Sequence, residues 1–278
     1  MTKFAAGVLV ALAVAFLSVS LHVSSRENFP GEVIFSEAFD NTFTLEQVWP
    51  SVRSGHADWW VSSGGYLISE NGIGRTLKGN LLPSDRFAMK YANSNPRDTA
   101  KGFRPQNVFR LVLRENFLNA TQELRARVIY YEPSSSEYRN ESNGVLLFNR
   151  YQDESNLYYV GIRVDGNAVI KKKLNGRYST LDITPVFSNK NPYNREANNN
   201  FLPLNSWIGI KSLIKNIEDD KVQIELFIDQ TGNGKWKRVL SVVDDGVTYG
   251  PAITKSGYGG IRTDFMDVEF DDYRIAEF

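Results

Sequence analysis

The chain has 278 residues, with 32 basic and 32 acidic side chains and therefore a formal net charge of zero at pH 7. This balance excludes a bulk electrostatic attraction to nucleic acid or to anionic lipid, so any charged partner must meet a local patch. Cysteine is absent, which excludes disulfides, thiolate catalysis and cysteine-based zinc sites. Aromatic residues make up 13% of the chain, a content that suits strands with large flat side chains on half-buried faces.

The first segment is an apolar run over residues 4–23, preceded by Lys3 and followed by two serines. A positive charge, a long apolar region and small residues after it are typical of a secretory signal peptide, and a run of about 20 apolar residues is also long enough to span a bilayer. We therefore expect residues 1–25 to be a signal peptide or an N-terminal membrane anchor. Both alternatives predict that the body, residues 26–278, is extracellular, either secreted or anchored at the cell surface through this segment alone.

From residue 32 onward, short apolar or alternating runs are separated by Gly, Asn, Asp and Ser, a pattern that indicates strands joined by turns. The alternation predicts strands over residues 33–39, 59–63, 66–69, 108–114, 122–131, 144–151, 157–164, 167–174, 207–216, 221–229, 236–243, 258–263 and 267–276. Helical spacing is nearly absent, apart from a helical turn predicted around residues 44–48. These elements predict one all-β domain, built as a two-sheet antiparallel sandwich.

The sequence predicts two turns more precisely than the strands that flank them. Asp165-Gly166 and Asn175-Gly176 are dipeptides of tight hairpins, and each lies between alternating runs. Together they predict a meander over residues 157–180. Residues 188–201 are polar and rich in asparagine, which predicts a long surface loop, either the rim of a binding cleft or a segment without a role in binding.

Three stretches carry a resemblance to a known family. They are residues 35–41 (FSEAFDN), 143–181 (NGVLLFNRYQDESNLYYVGIRVDGNAVIKKKLNGRYSTL) and 257–275 (GYGGIRTDFMDVEFDDYRI). Together they resemble the concanavalin A-like lectin and glucanase superfamily, and within it the laminin G-like and glycoside-hydrolase-family-16-like jelly rolls. The resemblance implies a jelly-roll sandwich of two antiparallel sheets with glycan bound on the concave sheet, and it does not by itself imply catalysis.

The resemblance also implies a structural calcium ion where the first and last strands lie side by side. The matching positions are Glu37 and Asp40 near the start of the domain and Asp271 and Asp272 near its end. Carboxylates from both chain ends are suitable ligands, because calcium is bound by several oxygen atoms. The alternative is that these carboxylates face water at a strand edge.

The sequence also contains candidate residues for two kinds of catalysis, each with less support than glycan binding. Asp267, Glu269 and Asp271 alternate along one strand, as the paired carboxylates of a glycoside hydrolase do, but this strand is the terminal one rather than a mid-chain one. A polysaccharide lyase needs a base beside Arg or Asn groups. His56 is the one histidine after residue 25, and the tyrosines are the other candidate bases.

A basic and aromatic set on the middle strands is the predicted ligand-binding surface. If Val160 and Ile162 face the core, side chains at the alternate positions project from the other face, because strand side chains alternate. The set comprises Tyr159 and Arg163, joined by Arg125, Arg127 and Lys171 or Lys173 if their strands are neighbours. Alternation turns one of Trp59 and Trp60 inward and the other outward, and Trp60 is taken as the contact. Tyrosine stacks on the apolar face of a sugar while Arg and Lys reach hydroxyls or a carboxylate, so this face suits a neutral or acidic glycan. The alternative is a solvated face whose basic residues keep the protein soluble.

The sequence therefore predicts an extracellular, lectin-like carbohydrate-binding module that is a monomer. Its predicted partner is a glycan or polysaccharide, and nucleic acid is not expected to bind. One alternative is a polysaccharide-degrading enzyme of the same fold, either a glycoside hydrolase or a polysaccharide lyase. A further alternative is a cell-surface adhesion module that binds a protein.

Overall fold

The computed structural model describes residues 31–93, 95–218 and 220–278. Within them the strands are β1 (Glu32–Glu37), β2 (Phe43–Glu46), β3 (Trp59–Ser63), β4 (Tyr66–Glu70), β5 (Ile73–Thr76), β6 (Val108–Phe117), β7 (Ala120–Tyr131), β8 (Gly144–Asp153), β9 (Asn156–Arg163), β10 (Asn167–Leu174), β11 (Arg177–Pro185), β12 (Trp207–Glu218), β13 (Lys221–Asp229), β14 (Lys237–Asp244), β15 (Gly257–Asp264) and β16 (Met266–Glu277). The helix α1 spans Arg86–Ala92, and two single 3-10 turns span Ser51–Arg53 and Pro105–Asn107. The predicted signal peptide or anchor, residues 1–25, lies outside the described residues. In the described part of the chain, no helix has the length and hydropathy needed to cross a membrane.

The strands form two antiparallel sheets. Sheet A has the order β14-β13-β12-β7-β16-β5-β4-β2, with β1 also paired to β16, and sheet B has the order β11-β10-β9-β8-β15-β6-β3. The predicted all-β sandwich is therefore confirmed. The first and last strands lie side by side, since Glu37 of β1 is in register with Tyr273 of β16.

One hydrophobic core fills the space between the sheets. Val160 and Ile162 of β9 meet it from sheet B, and Leu124 and Ala126 of β7 meet it from sheet A, all fully buried. Because side chains alternate along a strand, the residues between them face away from the core. This alternation confirms that Trp59 points into the core and Trp60 points outward.

A buried ion pair joins the two sheets across the core. The Nζ atom of Lys172, on β10 in sheet B, lies 2.8 Å from Oδ2 of Asp244, on β14 in sheet A. The Tyr158 hydroxyl donates to the same Asp244 oxygen at 2.6 Å, and the Lys172 ammonium also donates to the carbonyl oxygen of Gly250 at 2.8 Å. Burial, and then the hydrogen bond to Asp244, raise the pKa of the Tyr158 phenol. In a chain without cysteine, this network ties one sheet to the other.

The predicted meander and the long loop are both present. Asn175 and Gly176 have φ values of 50° and 80° in the turn between β10 and β11, the left-handed conformation that this dipeptide tolerates. Gly166, in the turn before β10, has a φ of 81°, and a Cβ there would lie 2.0 Å from the carbonyl oxygen of Phe187. Residues 188–201 contain no named strand or helix and connect β11 to β12.

The prediction of a helical turn over residues 44–48 is wrong. The segment contains strand β2, in which Leu45 is buried and Thr44 is in register with Ile68 of β4.

Helix α1 was not predicted, because its apolar pattern covers less than two turns. Asp85 caps it by accepting a hydrogen bond from the Phe87 amide at 2.8 Å.

Candidate functional site

The outer face of sheet B, which points away from the core, carries a second hydrophobic cluster. Its buried members are Trp60, Val112, Leu146, Phe148, Tyr151, Leu157, Tyr159 and Val169. An outward face of an antiparallel sheet is ordinarily polar. Because these side chains are at most 6% exposed, they form a second, smaller hydrophobic core on this face rather than an exposed apolar patch.

One row of residues crosses all seven strands of this face. From one edge of sheet B to the other, the strand registers align Thr180, Lys171, Tyr159, Phe148, Gly260, Val112 and Trp60. Neighbouring strands lie about 4.8 Å apart, so six steps span about 29 Å. The predicted contacts Tyr159, Lys171 and Trp60 therefore share one face and one row.

A cleft of about 340 Å³ opens where this row reaches β9, β10 and β11. Its lining is mostly polar and aromatic and comprises Tyr138, Asn140, Ser142, Asn143, Leu146, Tyr159, Lys171, Tyr178, Thr180, Arg262 and Asp264. Tyr138 and Tyr178 are 59% and 53% exposed. The cleft thus combines exposed aromatic rings with hydrogen-bonding groups, and Tyr138, Tyr178 and Arg262 were not among the predicted contacts.

Arg262 on β15 organises the aromatic part of the cleft. Its Nε donates to Oδ1 of the nearly buried Asp264 at 2.9 Å, so the guanidinium charge is neutralised. Its Nη1 donates to the hydroxyl oxygens of Tyr159 at 3.0 Å and Tyr178 at 3.3 Å. The two tyrosine rings are stacked, with centroids 6.0 Å apart and planes inclined by 30°. Arg262 therefore fixes the position of both rings.

The two tyrosines of this pair have opposite acid–base shifts. Burial raises the pKa of the Tyr159 phenol, although Arg262 acts in the other direction. Burial would also raise the pKa of the Tyr178 phenol, but Arg262 and Lys173 beside it lower the pKa, and the net direction is downward. Tyr178 is therefore the more acidic phenol of the cleft, and it is also the exposed one.

Lys171 on β10 lies in the same cleft and is only 8% exposed. Its Nζ donates to the carbonyl oxygen of Ser142 at 3.1 Å. Burial, and then the positive charge of Arg163, lower the pKa of the Lys171 ammonium to about 8. Among the described residues, no carboxylate pairs with it at ion-pair distance.

Arg163 and Trp60 belong to the outer face but are not part of the cleft lining. The Arg163 guanidinium donates to Asp165 at 2.7 Å and to the Glu141 carbonyl oxygen at 3.0 Å. Trp60, at the other end of the row, donates through Nε1 to the Val48 carbonyl oxygen at 2.8 Å. Its ring packs against Trp49, which is 68% exposed. Trp49 therefore offers a further exposed aromatic ring at the far edge of the face.

Arg125 and Arg127 do not join this face. Both lie on β7, which pairs with β12 and β16 in sheet A, so the condition that their strand neighbours β9 and β10 is not met. Arg127 donates through Nε to Oε2 of Glu269 at 2.8 Å, and Arg125 donates to the Gly232 carbonyl oxygen at 2.9 Å. The guanidinium carbons lie 4.6 Å and 5.5 Å from the ring centre of Trp207. The side chains of both arginines thus make contacts on the outer face of sheet A.

The alternating carboxylates of β16 also lie on that side of sheet A. Asp267 accepts hydrogen bonds from Arg104 at 2.9 Å and from the Gly79 amide at 2.9 Å. Glu269 accepts from Lys78 at 2.5 Å and from Arg127. Asp267 and Glu269 are nearly buried in ion pairs, and they hold the segment before β6 against the sheet.

The carboxylates predicted to bind calcium are only partly brought together. Glu37 accepts from the Phe39 amide at 2.7 Å and lies 3.4 Å from the Trp59 indole nitrogen, while Asp272 lies 3.4 Å from Arg125. Burial, and then Asp272 and Asp40 nearby, raise the pKa of the Asp271 carboxyl. Within the three described ranges, no group of three or more His, Asp or Glu residues could hold a metal ion. The four residues as placed do not form a complete ligand set, and calcium stays a prediction.

A calcium ion at this end of the sandwich would stabilise the folded state by mass action. Removal of the ion with a chelator is then expected to lower the melting temperature, and Asp271→Ala combined with Asp272→Ala is expected to remove that sensitivity. The measurement is thermal unfolding with and without chelator. An identical melting temperature in both conditions contradicts the calcium prediction.

No family model and no curated protein matches the sequence. Among solved structures, the carbohydrate-binding module CBM66 from Bacillus subtilis matches with 12% identity and a TM-score of 0.42, over 79% of this chain and 95% of that one. A β-glucanase from Bacillus licheniformis matches with 10% identity and a TM-score of 0.46, over 90% of this chain and 99% of that one. The exoplasmic/lumenal domain of VIP36 in its Ca2+/Man-bound form matches with 10% identity and a TM-score of 0.43, over 84% of this chain and 89% of that one. At such identities and scores no residue role or ligand carries over to this chain.

Proposed function

We propose that this protein is a carbohydrate-binding, lectin-like module whose glycan lies on the outer face of sheet B. The observation that carries the proposal is the cleft in which two stacked tyrosines, Tyr159 and Tyr178, are fixed by Arg262. Aromatic rings pack against the apolar faces of sugar rings, and guanidinium and amide groups donate to their hydroxyls. The extracellular location expected from residues 1–25 is part of the same proposal.

The dimensions of the face support an oligosaccharide or polysaccharide as the ligand. A volume of about 340 Å³ is within the range of small-ligand pockets and accommodates part of a chain rather than a long polymer. The cross-strand row continues from the cleft to Trp60 and the exposed ring of Trp49. A glycan chain that lies across the strands would therefore meet aromatic rings at both ends of the face.

Tyr178→Ala is expected to weaken glycan binding by about tenfold, because a stacked aromatic contact contributes about 0.5–1.5 kcal/mol beyond the area it buries. The measurement is retardation in polysaccharide gels, followed by calorimetry with the polysaccharide that is retained. Tyr130→Ala is the matched control, because Tyr130 is a similarly exposed tyrosine on a strand of sheet A. Retention of no glycan, or equal affinities of the two variants, would count against the proposal.

A second candidate function is β-elimination on an acidic polysaccharide, and the lowered pKa of Tyr178 is the observation that favours it. A Tyr178 phenolate would take the proton at C5 of a uronate ring, the C4–O bond would break with formation of a C4–C5 double bond, and the departing oxygen would take a proton from water. Incubation with polyuronates then yields products that absorb in the ultraviolet. Binding without release of such products rejects this candidate and leaves the first one intact.

A further inference from the structure

Lys171 carries a positive charge that the cleft itself does not balance. The charged groups that face it are Arg163 and Asp165 from β9 and its turn, and Arg262 and Asp264 from β15. Arg163 pairs with Asp165 at 2.7 Å, and Arg262 pairs with Asp264 at 2.9 Å. These two arginines and two aspartates cancel, so Lys171 is the unbalanced charge of the lining. Lys173, whose ammonium lies 4.8 Å from the ring centre of Tyr178, adds a second positive charge at the edge of the cleft.

The position of Lys171 makes this imbalance unfavourable in the free protein. Its side chain is only 8% exposed, and its Nζ donates to an uncharged acceptor, the Ser142 carbonyl oxygen. A nearly buried ammonium is stabilised when it is paired with an anion and destabilised when it is not. An anionic group of a ligand in the cleft would supply that pairing.

The neighbours of Lys171 place it against the surface on which a sugar would stack. Lys171 is in register with Tyr159 on one side and with Thr180 on the other, and all three line the cleft. A sugar ring bound in the cleft therefore meets a lining that includes Lys171 together with Tyr159 and Tyr178. Since the nearby carboxylates are neutralised by arginines, an incoming anion meets no unpaired negative charge in the described lining.

We propose that the cleft takes an acidic glycan, with a carboxylate or sulfate group of the sugar paired to Lys171 Nζ. This inference rests on the proposed function and narrows the class of its ligand. A carboxylate and a sulfate are both anions that can pair with the Lys171 ammonium. Polymers that carry one group or the other show which of the two is bound.

The first test compares polymers that differ only in charge, using the unaltered protein. The pairs are polygalacturonate with its methyl ester, and dextran sulfate with dextran, each titrated by calorimetry at pH 7. The charged member of at least one pair is expected to bind at least tenfold more tightly than its neutral partner. Equal binding of charged and neutral members overturns the inference but leaves glycan binding standing, whereas absence of binding to these and to a broad glycan panel overturns both.

The second test uses Lys171→Met, which removes the ammonium group and keeps most of the length of the side chain. We expect at least a tenfold loss of affinity for the charged polymer, with Lys171→Arg retaining most of the binding. Lys237→Met, an exposed lysine on β14 of sheet A, is the matched control and is expected to bind normally. Unchanged affinity of Lys171→Met for the charged polymer overturns the inference.

The pH dependence of the affinity gives a further test, because it would not change if Lys171 had a purely structural role. Because a bound anion favours the charged form of Lys171, the pKa of this ammonium is higher in the complex than its value of about 8 in the free protein. The complex then holds more protons than the free protein above about pH 8, so affinity is expected to fall as pH rises from 8 to 10. The comparison is made in the Tyr178→Phe background, which removes the other cleft group whose pKa is lowered, and adding Lys171→Met there is expected to abolish this fall. A pH profile with the same slope in both proteins contradicts the pairing.

Discussion

Replacing Asp244 with alanine is expected to lower the free energy of unfolding by about 3 to 5 kcal/mol, the usual effect of breaking a buried ion pair by removing one partner. Asp244 and Lys172 are both almost wholly inaccessible to solvent, and Lys172 would be left as a buried cation without its carboxylate. The Tyr158 hydroxyl would lose its acceptor as well. The measurement is denaturant-induced unfolding at equilibrium.

The matched control removes an ion pair that solvent already screens. Glu218→Ala breaks an exposed pair with Lys221 and is expected to leave the unfolding free energy nearly unchanged. The double variant Lys172→Met, Asp244→Leu removes both charges and is expected to recover most of the stability lost in Asp244→Ala. A loss in Asp244→Ala no larger than in Glu218→Ala would show that this network does not hold the sheets together.

Arg262→Met is expected to abolish glycan binding and to lower the unfolding free energy by about 3 kcal/mol. The variant removes the donor that fixes Tyr159 and Tyr178 and leaves Asp264, which is nearly buried, without its cation. The two effects have different causes, and they separate in a second variant. Arg262→Met combined with Asp264→Asn removes the unpaired charge, so its stability is expected to return while its binding stays lost.

Stability is measured by denaturant unfolding, and binding by calorimetry with the retained polysaccharide. Recovery of binding in Arg262→Met with Asp264→Asn would mean that Arg262 acts only on folding. Full binding in Arg262→Met alone would mean that the cleft is not the glycan site.

Much of the fold is encoded in local pattern. Alternation assigns the faces of β9, with Val160 toward the core and Tyr159 toward the outer face, because successive side chains of a strand point to opposite faces. The dipeptides Asp165-Gly166 and Asn175-Gly176 identify the β9–β11 meander, because few residues tolerate positive φ. No such pattern identifies helix α1, because its seven residues give too few repeats to reveal a helical period.

The sequence places part of the candidate site but not its centre. Tyr159, Lys171 and Trp60 were predicted and do share one face. Arg125 and Arg127 were misplaced, because alternation tells which side of a strand a residue takes but not which sheet the strand joins.

Other contacts were missed for different reasons. Arg262 follows the core residue Ile261, so alternation alone would have turned it outward, but nothing local shows that β15 lies next to β8. Tyr138 and Trp49 lie in segments outside the strands, where no period indicates which way a side chain points.

The central claim is that a glycan binds the outer face of sheet B at the cleft around Tyr178 and Lys171. Amide hydrogen exchange, measured with and without a saturating fragment of the retained polysaccharide, tests it most directly. Protection is expected to rise on β9, β10, β11 and β15 and in the segment 138–143 that borders the cleft, with sheet A unchanged. Protection confined to the outer face of sheet A, around Trp207, would contradict the account.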